Sequence, residues 1–203
     1  MTSGLVSHWE HGTWAPGETR LHWYLLPSSV PAASVDAVAS LLGSSGFDLV
    51  PVTWLHCTVV SLVPSLISAD RSVVDHMVDA VRSEVAGMGP IRASASLAAY
   101  HSAVVWELEP ADAFRGVFDS AVTASTSLLR TDPTRPYRPH LTVAYANAPH
   151  DDAAVSRIVD DRSCDLEHVE FATISLLDVR QLSGCYRWEI ISEIPLGERI
   201  GQS

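Results

Sequence analysis

The chain has 203 residues, 47% of them hydrophobic and 18% charged, with a formal net charge of −11; that balance describes a folded globular protein with a real core, not a disordered one. All 13 basic residues are arginine, which excludes a lysine nucleophile, a Schiff base and a P-loop lysine. The acidic balance argues against wrapping a long nucleic acid, which draws on many Lys/Arg–phosphate contacts, and leaves a short or mononucleotide-sized ligand open.

The first 20 residues lack a basic stretch followed by an apolar run, and no apolar stretch approaches the ~20 residues of a membrane span. Residues 8–17 are rich in aromatics and turn formers and read as a loop. A strand is expected over 21–27, ended by Pro27, then a short helix over 35–42 with Ser34 as N-cap and Gly43 after its last turn. A strand over 52–62 follows. Residues 69–86 carry Val73, Val74, Met77, Val78, Val81 and Val85 at helical spacing, and Gly87-Met88-Gly89-Pro90 stops that helix. Strands over 91–99 and 103–108 form a hairpin through Tyr100-His101-Ser102, and a second long helix spans 111–129. A loop leads to a strand over 139–146 and a weaker helix over 151–159. Strands over 169–179 and 185–194 close the chain, with Ser183-Gly184 near their turn. No obvious linker divides it. Cys57, Cys164 and Cys185 show no C-x-x-C spacing, so neither a disulfide framework nor a structural zinc is expected, and a reducing cytoplasm is the default compartment.

Two of these strands read alike: Leu55-His56-Cys57-Thr58-Val59 and Pro139-His140-Leu141-Thr142-Val143. Side chains alternate along a strand, so His56 shares a face with Thr58 and His140 with Thr142, while Cys57, Val59, Leu141 and Val143 point into a core. Side by side, such strands offer two imidazoles and two hydroxyls to one groove. An imidazole titrates near pH 6.5, so a neutral and a protonated copy can coexist and act as base and acid around a phosphate without a metal. The hydroxyls can donate to non-bridging oxygens. Which histidine is base and which is acid is left open. With nine His and eleven Thr in the chain, roughly 0.5 bare H-x-T triplets arise by chance; a pair that repeats the following valine, one in each half, is more specific.

Alternation also nominates neighbours. Trp54 falls on the face of His56, where an indole can stack on a base, or it is a core tryptophan. Arg138 falls on the face of His140 and can supply positive charge, although Pro139 interrupts the pattern. On the first strand His22 and Tyr24 share a face that can line the groove. Strict alternation points Tyr145 away from the groove and into the core. His8-x-x-His11 with His22 lacks the carboxylate or Cys spacing of a metal site, and His76, His101, His150 and His168 read as surface residues.

The paired H-x-T-V motifs, in this order and strand context, resemble the two-histidine (2H) phosphoesterase superfamily, and within it the bacterial 2′-5′ RNA ligase family proteins. The likeness extends to Trp9 with Trp14-Ala15-Pro16-Gly17, His22-Trp23-Tyr24, Arg138 through Tyr145, Cys185-Tyr186-Arg187-Trp188-Glu189 and Pro195-Leu196-Gly197. It implies a single α+β domain over 1–203, bilobal, with two pseudo-twofold-related lobes of antiparallel sheet and flanking helices around a central groove. It also implies cofactor-free, metal-independent hydrolysis of a 2′,3′-cyclic phosphate or a 2′-5′ phosphodiester. Carried over, His56 and His140 are the catalytic pair, and Thr58 and Thr142 hold the phosphate. Trp54, Arg138, Tyr24 and His22 are candidate substrate-binding residues from alternation. One departure from the pattern is the absence of any Arg between Arg20 and Arg71, which disfavours a large RNA. The expected partner is a small nucleotide or short oligonucleotide; oligomeric state is open. A small-metabolite enzyme that reuses the groove, and a non-catalytic nucleotide-binding module, are the alternatives.

Overall fold

The computed structural model describes residues 5–11, 13–43, 46–64, 70–125 and 136–197. In chain order the elements are α1 (His8–His11), β1 (Thr19–Leu25), α2 (Ala32–Leu42), β2 (Phe47–Leu49), β3 (Cys57–Pro64), α3 (Arg71–Val85), β4 (Ile91–Tyr100), β5 (Ala103–Glu109), α4 (Ala111–Ala124), β6 (His140–Ala146), α5 (Asp152–Val159), β7 (Leu166–Phe171), β8 (Thr173–Leu182) and β9 (Cys185–Pro195). The α+β class holds, and most expected elements are where periodicity placed them.

Four differences have local causes. Val52–Trp54 is a 3-10 turn entered from Pro51, so the strand expected from residue 52 begins only at Cys57. The expected strand over 169–179 is two strands, β7 and β8, broken at Ala172. The short elements α1 and β2 carry too few residues to show a period. The second long helix ends at Ala124; its expected continuation over 126–129 lies outside the described residues.

The strands form one antiparallel sheet in the order β7-β4-β5-β6-β3-β1-β8-β9, with β2 added beside β6. Folded about the β6/β3 junction, this order superposes β6 on β3, β5 on β1, β4 on β8 and β7 on β9. That is the pseudo-twofold of two lobes, with one motif strand from each at the centre. Helices cover the lobes. Asp70 caps α3 by accepting from the Ser72 N–H, and Val74, Met77, Val78, Val81 and Val85 form its buried face. Helix α4 buries Phe114, Val117 and Ala121; it packs on α3 and β3, whereas α5 packs on β4. Two indoles pin the core by donating inward, Trp23 to the Ser125 hydroxyl at 3.1 Å and Trp106 to the Cys164 carbonyl at 2.8 Å. Among the described residues, no helix is long and apolar enough to cross a membrane.

Candidate active site

The two motifs meet at one backbone pair. Cys57 of β3 is registered with Leu141 of β6, so the histidines that precede these residues flank the pseudo-twofold axis. Each is held the same way. His56 Nδ1 donates to the Trp54 carbonyl at 2.9 Å, and His140 Nδ1 donates to the Arg138 carbonyl at 2.8 Å. A carbonyl only accepts, so the proton of each neutral ring sits on Nδ1 and the Nε2 lone pair is left for chemistry.

The valine of each motif has a geometric role. Tyr24 pairs with Thr58 and Trp23 with Val60, which skips Val59; in the other lobe Val105 pairs with Thr142 and Val104 with Ala144, which skips Val143. Val59 and Val143 are therefore β-bulge residues, both buried. A bulge advances the side-chain phase by one residue. Beyond it, Ser61 and Tyr145 continue the groove face that His56/Thr58 and His140/Thr142 began. This corrects the expectation for Tyr145, whose strict alternation assumed an unbroken ladder. Tyr145 shares the cavity wall with Thr142, as Tyr24 does with Thr58.

One cavity of about 410 Å³ collects His56, Thr58, His140, Thr142, Tyr24 and His22 from the expected set. Tyr24 stacks on the His56 ring at 4.1 Å between centroids, 12° from parallel. Two expected residues are not brought in. Trp54, on its 3-10 turn, packs edge-on against Trp188 at 4.8 Å, with Arg187 over its ring. Arg138 precedes β6, is exposed, and lies over Tyr100 with its guanidinium 5.9 Å from the ring centre. Alternation cannot be extended past the ends of a strand, and both residues lie beyond them. Each nevertheless supplies the carbonyl that orients a motif histidine.

Several wall residues were invisible to local reading. The N-terminal segment runs between the lobes: Val6 N–H donates to the His101 carbonyl and Trp14 N–H to the Gln181 side chain. Between them His8 contacts the Ser102 hydroxyl with Nδ1 and the Tyr186 hydroxyl with Nε2, both at 2.9 Å. The segment thus links the β4–β5 and β8–β9 hairpins and places His8 and Trp14 in the cavity wall. His11's side chain lies outside the described residues. His76, His101 and His168 are exposed as expected, whereas His150 is half-buried, stacked on Phe47 and bonded to the Gly46 carbonyl.

Burial lowers the pKa of both motif imidazoles. Burial pushes His56 down to about 4; the Trp54 carbonyl opposes the shift and nearby His140 adds to it. His140 is lowered by burial too, but the Arg138 carbonyl and the Glu107 carboxylate oppose the shift. Glu107 is the β5 partner of His140 and accepts from the Tyr100 phenol, whose ring meets His140 edge-on at 5.0 Å. The β1–β3 ladder ends at the Leu25–Cys57 pair, and Leu26, next along the chain, carries no charge. The two halves are related by topology and unequal in electrostatics.

No family model matches the sequence, and no curated protein matches it. Solved structures do. E. coli LigT complexed with 3′-AMP superposes with a TM-score of 0.62 at 12% identity, covering 88% of this chain and 98% of that one. TT0787 of Thermus thermophilus gives 0.61 at 14% identity, covering 88% and 98%. The chain has the two-histidine phosphoesterase fold. A conserved protein of unknown function from Agrobacterium tumefaciens is also similar, with a TM-score of 0.58, 14% identity and coverage of 86% and 84%. LigT has further been crystallised with NADP+, ATP and phosphate. In this 2H fold the two lobes of one curled sheet set the motif strands together, as the resemblance of the H-x-T-V pair implied.

Proposed function

We propose that the protein is a metal-independent phosphodiesterase acting on the 2′,3′-cyclic phosphate or 2′-5′ phosphodiester of a small nucleotide or short oligonucleotide. The observation that carries this reading is the paired geometry. Two imidazoles with Nδ1 tied to backbone carbonyls, and two threonine hydroxyls, line one cavity around the junction of β3 and β6. Its volume is in the range of small-molecule sites, and LigT, with the same fold, binds 3′-AMP.

The unequal surroundings support a division of roles. A phosphodiester anion between the rings favours an imidazolium, and the ring beside a carboxylate takes that charge at least cost. His140, beside Glu107, is the general acid; His56, stacked under Tyr24 with no carboxylate facing it on β1, is the base. His56 Nε2 takes a proton from water as the water oxygen bonds to phosphorus. The bond from phosphorus to the departing ribose oxygen breaks, and His140 Nε2 delivers a proton to that oxygen. Thr58 and Thr142 donate to the non-bridging oxygens. In the reverse, ligating direction the two histidines exchange roles.

Turnover of nucleoside 2′,3′-cyclic phosphates and 2′-5′ dinucleotides in the presence of EDTA tests the reading, followed by separation of the 2′- and 3′-phosphate products. Binding without multiple turnover would overturn it in favour of a non-catalytic module. The role assignment has its own measurement. A diester with a 4-nitrophenolate leaving group needs no general acid, so His140→Ala is expected to retain most activity on it and His56→Ala is not. Activity retained by His56→Ala and lost by His140→Ala would reverse the assignment, and equal losses would abolish it.

A further inference from the structure

The two walls of the cavity differ although the topology relates them. On the β5/β6 side, Ala103 faces Tyr145 and Val105 faces Thr142. At the equivalent β1/β3 positions, His22 faces Ser61 and Tyr24 faces Thr58. Two residues before His22 stands Arg20, the one arginine lining the cavity among the described residues. Polar character on one wall is therefore not something this fold requires.

Three observations mark that wall as built for a ligand. His22 is nearly fully buried, and its Nε2 has no hydrogen-bond partner; Nδ1 lies 3.4 Å from the Ser61 hydroxyl. Buried polar groups are nearly always satisfied, so an orphan in a cavity wall calls for an acceptor or donor that the chain does not supply. Arg20 is held in place, its Nε donating to Glu18 at 2.7 Å and its guanidinium 4.2 Å over the Trp14 ring. One of the five donors of a guanidinium is thereby committed and the group is positioned in advance. Trp14 in turn packs on His22 and Tyr186.

We propose that Arg20, His22 and Ser61 form a second anion subsite, which takes a phosphate carried on the same substrate away from the scissile one. A guanidinium, an imidazole and a hydroxyl on adjacent strands approach from several directions and suit the tetrahedral face of a phosphate better than a planar carboxylate. Tyr24 marks the level of the scissile group. His22 and Arg20 stand about 7 and 13 Å further along β1 by strand rise, and the arginine side chain reaches back across part of that span. A ribose puts a comparable separation between its 2′/3′ and 5′ phosphates. The substrate class is then a nucleoside 2′,3′-cyclic phosphate that also bears a 5′-phosphate. This subsite rests on the phosphoester reading of the catalytic pair.

The probes are adenosine 2′,3′-cyclic phosphate with and without a 5′-phosphate. The wild-type protein is expected to favour the 5′-phosphorylated ester by roughly ten- to hundred-fold in kcat/KM, mostly through KM, as for loss of one or two charge-assisted hydrogen bonds. In Arg20→Gln, and separately in Ser61→Ala should the arginine variant fold poorly, that preference shrinks toward unity. A wild-type ratio near one, or a ratio that survives Arg20→Gln, overturns the subsite. Should neither ester be hydrolysed, the phosphodiesterase reading fails, and the subsite is read by calorimetry with adenosine 3′-phosphate and adenosine 3′,5′-bisphosphate. Tighter binding of the bisphosphate that is lost in Arg20→Gln upholds the subsite, and equal affinities overturn it.

Discussion

His56→Ala and His140→Ala are each expected to lower kcat on a nucleoside 2′,3′-cyclic phosphate by at least ~10²–10⁴-fold, the usual contribution of one positioned general acid or base. Each ring is oriented by a single carbonyl at its Nδ1, so what alanine removes is the Nε2 that moves a proton. The paired variant should cost little more than the worse single one, because acid and base act in one transition state and their losses do not add. Loss in kcat with KM little changed is the signature of proton transfer; a rise in KM alone would mean that the rings only bind. Activity unaltered in either single variant would remove the enzymatic account. Thermal unfolding of the same samples separates chemistry from folding.

Stability should fall steeply in mild acid. His22 is pushed down to about 3, by burial first and then by the neighbouring His56 and Arg20, and His56 is pushed down to about 4. In the unfolded chain both titrate near 6.5. Between those values the unfolded state binds more protons than the folded one, so unfolding becomes easier as pH falls below 6.5. The loss levels off only once the folded pKa is passed. At pH 5 each ring costs about 2 kcal/mol relative to neutral pH, and the pair roughly 4 kcal/mol, a large share of the 5–15 kcal/mol that holds a typical domain together. His8 and His140, also lowered by burial, act in the same direction. Urea unfolding at pH 7.5 and 5.0 reads this as a drop in midpoint, and His22→Gln should recover about half of it. Equal midpoints at the two pH values would show that the cavity does not hold these imidazoles neutral.

The same burial limits where the enzyme can work. On the proposed mechanism, a His56 pushed down to about 4 would be available as base throughout the neutral range, and a bound phosphodiester would supply the negative charge that lets His140 carry its proton. In the proposed mechanism Glu107 is a positioning residue that acts through His140, while Tyr100 shares the cavity wall with that histidine.

Composition and local pattern settled a good deal about this chain. Lysine chemistry was excluded by counting, and helix α3 was visible in the spacing of Val74, Met77, Val78, Val81 and Val85. The H-x-T-V repeat identified the four central side chains, because a strand's alternation needs only a few consecutive residues to place a face. What local pattern could not supply was any feature set by a partner strand. The bulges at Val59 and Val143 exist only in the register with β1 and β5; they moved Tyr145 from the core to the groove and put Ser61 opposite His22. Trp54 left the groove because β3 begins later than a run of apolar residues implies, and Arg138 because it precedes β6. His8 and Trp14 became wall residues through bonds to Ser102, Tyr186 and Gln181, far away in the chain. The inequality of the two histidines arose likewise, since Glu107 meets His140 across a strand pairing that spans 33 residues of sequence (140 − 107). Short-range periodicity is a property of the backbone alone, whereas charge, burial and register at a site are sums over neighbours that only the folded chain assembles.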